Sequence, residues 1–181
     1  MAQNPRTEGL SAVERTIELG MMAGMAAAVP MGIFALIASG TWQHAGVYTP
    51  VYRIAAMLDP SPLEVSLEEA AAGSSAYFDP QPFFSGGAVH LTLGGFFGVI
   101  FALLSRRLRW RGRLALAAGI VYGLAVLALM SLVLLPVAAG LVGAGREIAD
   151  TASITGWPTF VVAHLLYGLG LGTWAALRPP P

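Results

Sequence analysis

The chain has no cysteine and no lysine among its 181 residues. Without cysteine, disulfide bonds, thiolate metal sites and cysteine nucleophiles are excluded. All of its basic residues are arginines, which we attribute to genome composition rather than to chemistry. Phosphate-binding loops, G-x-S-x-G elbows and H-E-x-x-H motifs are absent too. The sequence therefore indicates no hydrolytic or phosphoryl-transfer activity, and we expect a protein that is not an enzyme.

Charge is also scarce. Charged residues make up 11% of the chain and hydrophobic residues 56%, whereas a soluble domain carries about 25% charged residues. A water-exposed surface cannot be built from this composition, so the lipid bilayer is the expected environment. The net charge of zero does not favour nucleic acid as a partner.

Four apolar runs are long enough to cross a bilayer, which takes about 20 helical residues. The sequence thus predicts an all-α polytopic fold with four transmembrane helices. We place the spans at about 18–39, 85–105, 114–140 and 157–177, with cytoplasmic segments at 1–17 and 178–181 and an outer lid at 40–84. The lid contains two amphipathic segments separated by prolines, so we expect short helices there.

Arginines predict the orientation. The stretch SRRLRWRGR, residues 105–113, joins the second and third spans and is called the arginine loop below. Short arginine-rich loops stay in the cytoplasm, which predicts a bacterial inner-membrane protein with both termini inside. The arginines on this side are Arg106, Arg107, Arg109, Arg111 and Arg113 of the loop, together with Arg6, Arg15 and Arg178.

The chain repeats one pattern. GGAVHLTLGGFFG, residues 86–98, and VVAHLLYGLGLG, residues 161–172, share H-L-x-x-G-x-x-x-G, and spans one and three each contain G-x-x-x-G. This predicts a tandem repeat of two helices each. Small residues at this spacing let helices approach closely, so we predict helix contacts at Gly20, Gly24, Gly94, Gly98, Gly119, Gly123, Gly168 and Gly172.

These features together resemble a group of small four-helix bacterial inner-membrane proteins of unknown function. The resemblance is carried by the H-x-x-Y-G-x-x-x-G of span four, the G-x-x-x-G pairs, the loop ending FSGGAVH and the four-span layout. Span two departs from it with Leu93 where span four has Tyr167. The resemblance implies a location and a fold but no activity.

His90 and His164 occupy equivalent positions near the outer starts of spans two and four. An ionisable side chain within a membrane suggests a functional site. The simplest interpretation is structural: neutral histidines that donate across helices to carbonyls, Thr92 or Tyr167 and so join the two repeats. On this interpretation no cofactor is bound.

Two alternatives give the histidines a chemical role. The pair could bind haem b through both imidazoles, or His44, His90 and His164 could bind a divalent metal with Asp59 or Asp79. Alternatively, the histidines could relay protons in a small transporter.

The size of the chain and its many small residues favour a non-enzymatic accessory or scaffolding subunit. It would pack against other membrane-protein subunits or against itself. The alternatives are a haem- or metal-binding electron-transfer subunit and a small transporter with a histidine relay.

Overall fold

The computed structural model describes residues 5–143 and 145–178, with side chains from residue 12 onward, and these residues form helices and connecting turns. The predicted all-α fold with four long apolar helices is confirmed. The helices are α1 (Pro5–Gly40), α2 (Thr49–Ala55), α3 (Ser61–Ala71), α4 (Pro80–Leu108), α5 (Gly112–Leu129), α6 (Leu135–Val142), α7 (Gly145–Ala149), α8 (Thr151–Ile154) and α9 (Trp157–Ala176). Of the predicted terminal segments, residues 1–4 and 179–181 lie outside the described part of the chain.

Four segments have the length and composition to cross a membrane, and they support a multi-pass membrane protein. They are Ala12–Gly40, Pro80–Leu108, Gly112–Val142 and Trp157–Ala176. The second begins before its apolar run because the Asp79 side chain accepts a hydrogen bond from the Gln81 N–H at 3.0 Å. Pro80 then occupies the first turn, where its missing N–H costs nothing.

The third span is not a uniform α-helix. A π-helical segment, Met130–Leu134, separates α5 from α6, and the Leu135 N–H donates to the Met130 carbonyl five residues earlier. Pro136 follows directly, and a proline within a helix removes one hydrogen bond and collides with the carbonyl four residues before it. The wider π turn accommodates this collision.

The four spans pack as two antiparallel pairs, α1 with α4 and α5 with α9. The pairs join chiefly between α1 and α9, where a Cβ added at Gly170 would lie 2.9 Å from the Ala27 Cβ. Phe97, Phe101 and Leu171 are buried in the core between the pairs.

The short helices α2, α3, α7 and α8 form a second layer at one end of the bundle, which we call the cap. Its core contains Tyr52, Ala56, Leu63 and Ile148, all at most 3% exposed. Helices α2 and α3 lie in the connection predicted as a lid. The connection between α6 and α9 also contains two helices, α7 and α8, which were not predicted because the segment is short.

The arginine loop lies at the other end of the bundle, beside the first span. Arg106 Nη1 donates to the Ala12 carbonyl at 2.6 Å and to Thr16 Oγ1 at 3.1 Å. Arg178, just after α9, stacks on Trp174 at 3.6 Å, and its pKa is lowered by burial and by Arg15 nearby. The start of α1, the arginine loop and the end of α9 therefore share one end.

Candidate functional site

The glycines of the first half face one another across α1 and α4. A Cβ added at Gly98 would lie 2.5 Å from the Gly24 Cα, and one added at Gly20 would lie 3.0 Å from the Gly98 carbonyl oxygen. A Cβ added at Gly94 would lie 3.1 Å from the Gly24 carbonyl oxygen. No side chain fits between these backbones without moving one helix.

The second half has equivalent contacts between α5 and α9. A Cβ added at Gly119 would lie 2.7 Å from the Gly172 Cα, and one added at Gly123 would lie 3.0 Å from the Gly168 Cα. In each half, the first of the four glycines in sequence faces the fourth, and the second faces the third. All eight glycines thus contact helix backbone within the chain.

A cavity of about 540 Å³ lies between the four spans, beneath the cap. We call it the central cavity. Its walls are mostly apolar, and residues from every span and from α2, α7 and α8 contribute to it. Leu93, Phe97, Val126 and Ala163 are among the lining residues. This volume is within the range of small-molecule sites, about 300–1,000 Å³.

Both membrane histidines line the central cavity, but they bond separately. His90 Nε2 donates to the Ala28 carbonyl of α1 at 3.0 Å. His164 is 4% exposed, and its Nδ1 donates to the Phe160 carbonyl of its own helix at 2.9 Å. In the neutral form each ring has one nitrogen left as an acceptor, Nδ1 of His90 and Nε2 of His164. Neither histidine bonds to the other half of the bundle.

Two tyrosines of the second helix pair donate hydrogen bonds to the backbone of α4. Tyr167 donates its hydroxyl to the Gly94 carbonyl at 2.6 Å, and Tyr122 donates to the Phe97 carbonyl at 2.7 Å. Both acceptors belong to α4, whereas the donors come from α9 and α5. Thr92, predicted as a histidine partner, is exposed on the bundle surface.

The third histidine does not join the other two. His44 is exposed and lines a separate cavity of about 300 Å³ within the cap. Across residues 12–143 and 145–178, no three His, Asp or Glu side chains are grouped to hold a metal ion. The predicted set of His44, His90 and His164 with Asp59 or Asp79 is therefore not assembled in this structure.

Arg53 is the functional candidate that the sequence analysis missed. It is 4% exposed and lines both the central cavity and the smaller cavity of the cap. Its Nη1 donates to the Glu147 carboxylate at 2.6 Å and to the Glu147 carbonyl at 3.2 Å. Burial lowers the pKa of Arg53, and Glu147 opposes this shift. The sequence does single out Arg53 as a candidate, because it is the only Arg, Asp or Glu between residues 19 and 58.

Arg53 Nε is buried and has no hydrogen-bond partner in the described part of the chain. Buried donors in native proteins are nearly always paired, so this atom requires an explanation. The Arg53–Glu147 contact also ties α2 to α7, the two sides of the cap.

The central cavity reaches the outer surface of the bundle beside α6. Leu134, Val137 and Leu141 line it and are 38%, 54% and 82% exposed. These exposed, apolar residues mark an edge of the cavity that is open to the bundle surface beside α6, which we call the side opening.

Comparison of the chain with protein-family models, with curated proteins and with solved structures gives no match. The cavity and its lining are therefore the features of the molecule from which a function can be inferred.

Proposed function

We propose that this membrane protein binds a lipophilic small molecule in the central cavity. The observation that carries the proposal is the cavity itself, about 540 Å³ of mostly apolar space between the four spans. The ligand would enter from the bilayer through the side opening beside α6. Burial of its apolar surface would contribute most of the affinity.

The polar atoms of the cavity limit what the ligand can be. His90 and His164 each direct one ring nitrogen to their own structural bond and leave the other as an acceptor. A ligand with a hydroxyl group, or with one polar end, would satisfy such a nitrogen better than a pure hydrocarbon.

Mass spectrometry of the gently purified protein tests the proposal. We expect a lipophile to accompany the wild type and to be lost from Ala138→Phe, which fills the cavity from α6. Ala128→Phe on the same span is exposed and does not line the cavity, so this variant should retain the ligand. Equal ligand content in both variants would contradict the proposal.

The accessory-subunit prediction relied on small residues as contact surfaces for other membrane proteins. All eight predicted glycines contact backbone inside the chain, so they provide no outward surface of that kind. We therefore place ligand binding ahead of an accessory role.

Haem b is the second candidate, because both histidines line one cavity. The coordinating atoms would be His90 Nδ1 and His164 Nε2, the two nitrogens not used in helix bonds. Its test is a haem absorption band in the purified protein that either His90→Ala or His164→Ala abolishes. A histidine relay is less favoured, because Leu93, Phe97 and Val126 make the walls around the histidines apolar.

The membrane and orientation remain proposals as well. We propose a bacterial inner-membrane protein with the arginine loop in the cytoplasm and the cap outside, supported by the clustering of arginines at one end of the bundle. We also propose that the two helix pairs arose by duplication, supported by the equivalent glycine contacts.

A further inference from the structure

Arg53 places a buried cation at the boundary between the cap and the apolar cavity. Among residues 12–143 and 145–178, only Nη1 of its guanidinium meets an acceptor, Glu147, and the buried Nε has no partner. A guanidinium has five N–H donors and no acceptor, so an anion is the natural partner for the unused edge.

Arg53 is the only Arg, Asp or Glu among the described residues that line the central cavity. In their neutral form, His90 and His164 have acceptor nitrogens left, and an acceptor does not bind a carboxylate. Gln43 and Thr159 also line the cavity, but most of its lining is apolar, with Leu93, Phe97 and Val126 among these residues. One cation at the top of an apolar space matches a molecule with one anionic end and one hydrocarbon chain.

We infer that the ligand is a long-chain carboxylate whose headgroup binds Arg53 and whose chain extends into the central cavity toward the side opening. This inference rests on the proposed function and narrows it to one ligand class. The planar guanidinium can bind a carboxylate through two parallel hydrogen bonds, which a lysine cannot do. Glu147 would share the same guanidinium with the ligand and hold α7 over it.

Binding of oleate and oleyl alcohol to the purified full chain tests the inference, because the two probes differ only in the headgroup. At pH 8 the wild type should bind oleate at least about tenfold more tightly, as expected for a charge-assisted hydrogen bond. Arg53→Gln should lose this preference but still bind the alcohol. Arg146→Gln is the matched control, since its side chain is 93% exposed and lines neither cavity, and it should keep the preference.

Two further variants keep the test decisive if Arg53→Gln does not fold. Glu147→Gln should bind oleate more tightly than the wild type, because a competing carboxylate is removed. Arg53→Lys should bind oleate more weakly than the wild type but still in preference to the alcohol.

The outcomes separate this inference from the proposed function. Equal binding of oleate and oleyl alcohol by the wild type would overturn the carboxylate inference and leave cavity binding intact. An unchanged preference in Arg53→Gln, or weaker oleate binding in Glu147→Gln, would also overturn it. If neither probe binds, the proposed function fails and the inference fails with it.

Discussion

His90 and His164 are held by independent hydrogen bonds, although they share one cavity. His90 bonds to α1 within the first helix pair, and His164 bonds within α9. Because each satisfies its own donor, removal of one leaves no unpaired group on the other. The equivalent sequence positions of the two histidines therefore place two acceptor nitrogens in one cavity, but the two rings do not bond to each other.

A double-mutant cycle measures this independence. His90→Ala and His164→Ala should each cost about 1 kcal/mol in the free energy of unfolding, the usual value for one hydrogen bond. The double variant should lose the sum, with an interaction energy below about 0.5 kcal/mol. Strong coupling in the cycle would mean that the two rings bond to each other.

Tyr167 provides a second test at a single side chain. Its hydroxyl joins α9 to α4 at the Gly94 carbonyl, so Tyr167→Phe should destabilise the protein by about 1 kcal/mol. Tyr48→Phe is the control, because Tyr48 packs among aromatic rings of the cap. Thermal unfolding of both variants in the same detergent gives their midpoints. Equal midpoints would mean that the Tyr167 hydrogen bond does not stabilise the protein.

Some site residues were predictable and others were not. His90 and His164 could be identified because an ionisable group in an apolar run is rare. The partners were not predictable, since Ala28 and Phe160 act through backbone carbonyls that every residue has. Arg53 was overlooked because its pairing with Glu147 joins positions 94 residues apart in the sequence.

The helix pairs owe their close approach to glycine, and the two halves use it in the same way. The spacing of the glycines predicted which faces would meet, because residues four apart lie on one face of a helix. The pairing of α1 with α9 through Gly170 and Ala27 was not predicted, because no repeated motif marks it.

Matched substitutions test these contacts in each half. Gly24→Leu and Gly123→Leu should each destabilise the bundle by about 1–3 kcal/mol through overpacking. Ala26→Leu and Ala125→Leu, two residues further along the same helices, face outward and should change stability by less than about 0.5 kcal/mol. If the glycine and alanine variants unfold alike, the glycines do not form the helix contacts.

The π-helical segment also could not be predicted from the sequence. Pro136 predicts a disturbance of the third span, but the disturbance could take the form of a kink, a break or a wider turn. In the structure a wider turn allows the helix to continue to Val142. As a result Leu134, Val137 and Leu141 lie along the side opening.

The molecule as a whole has two different ends. One carries the arginine loop, and the other is closed by the cap with its own core. Composition, with 56% hydrophobic residues, predicted a membrane protein, and the four long apolar runs predicted its four spans. The cavity was not predictable, since it is a space left between helices whose relative positions the sequence does not state.

Cysteine labelling tests the orientation of the protein in the membrane. The chain has no native cysteine, so only the introduced cysteine can react. Ser75→Cys in the cap connection and Leu108→Cys in the arginine loop are both exposed positions. With an impermeant thiol reagent outside intact cells, Ser75→Cys should react and Leu108→Cys should react only after lysis. The opposite pattern would place the cap in the cytoplasm.

The most direct test of the account is a crystal structure with a brominated long-chain alcohol, located by the anomalous signal of bromine. We expect a bromine peak in the central cavity, between the walls formed by α4, α6 and α9, and we expect it to be absent in Ala138→Phe. Bromine peaks found only on the lipid-facing surface of the spans, with none in the cavity, would contradict the account.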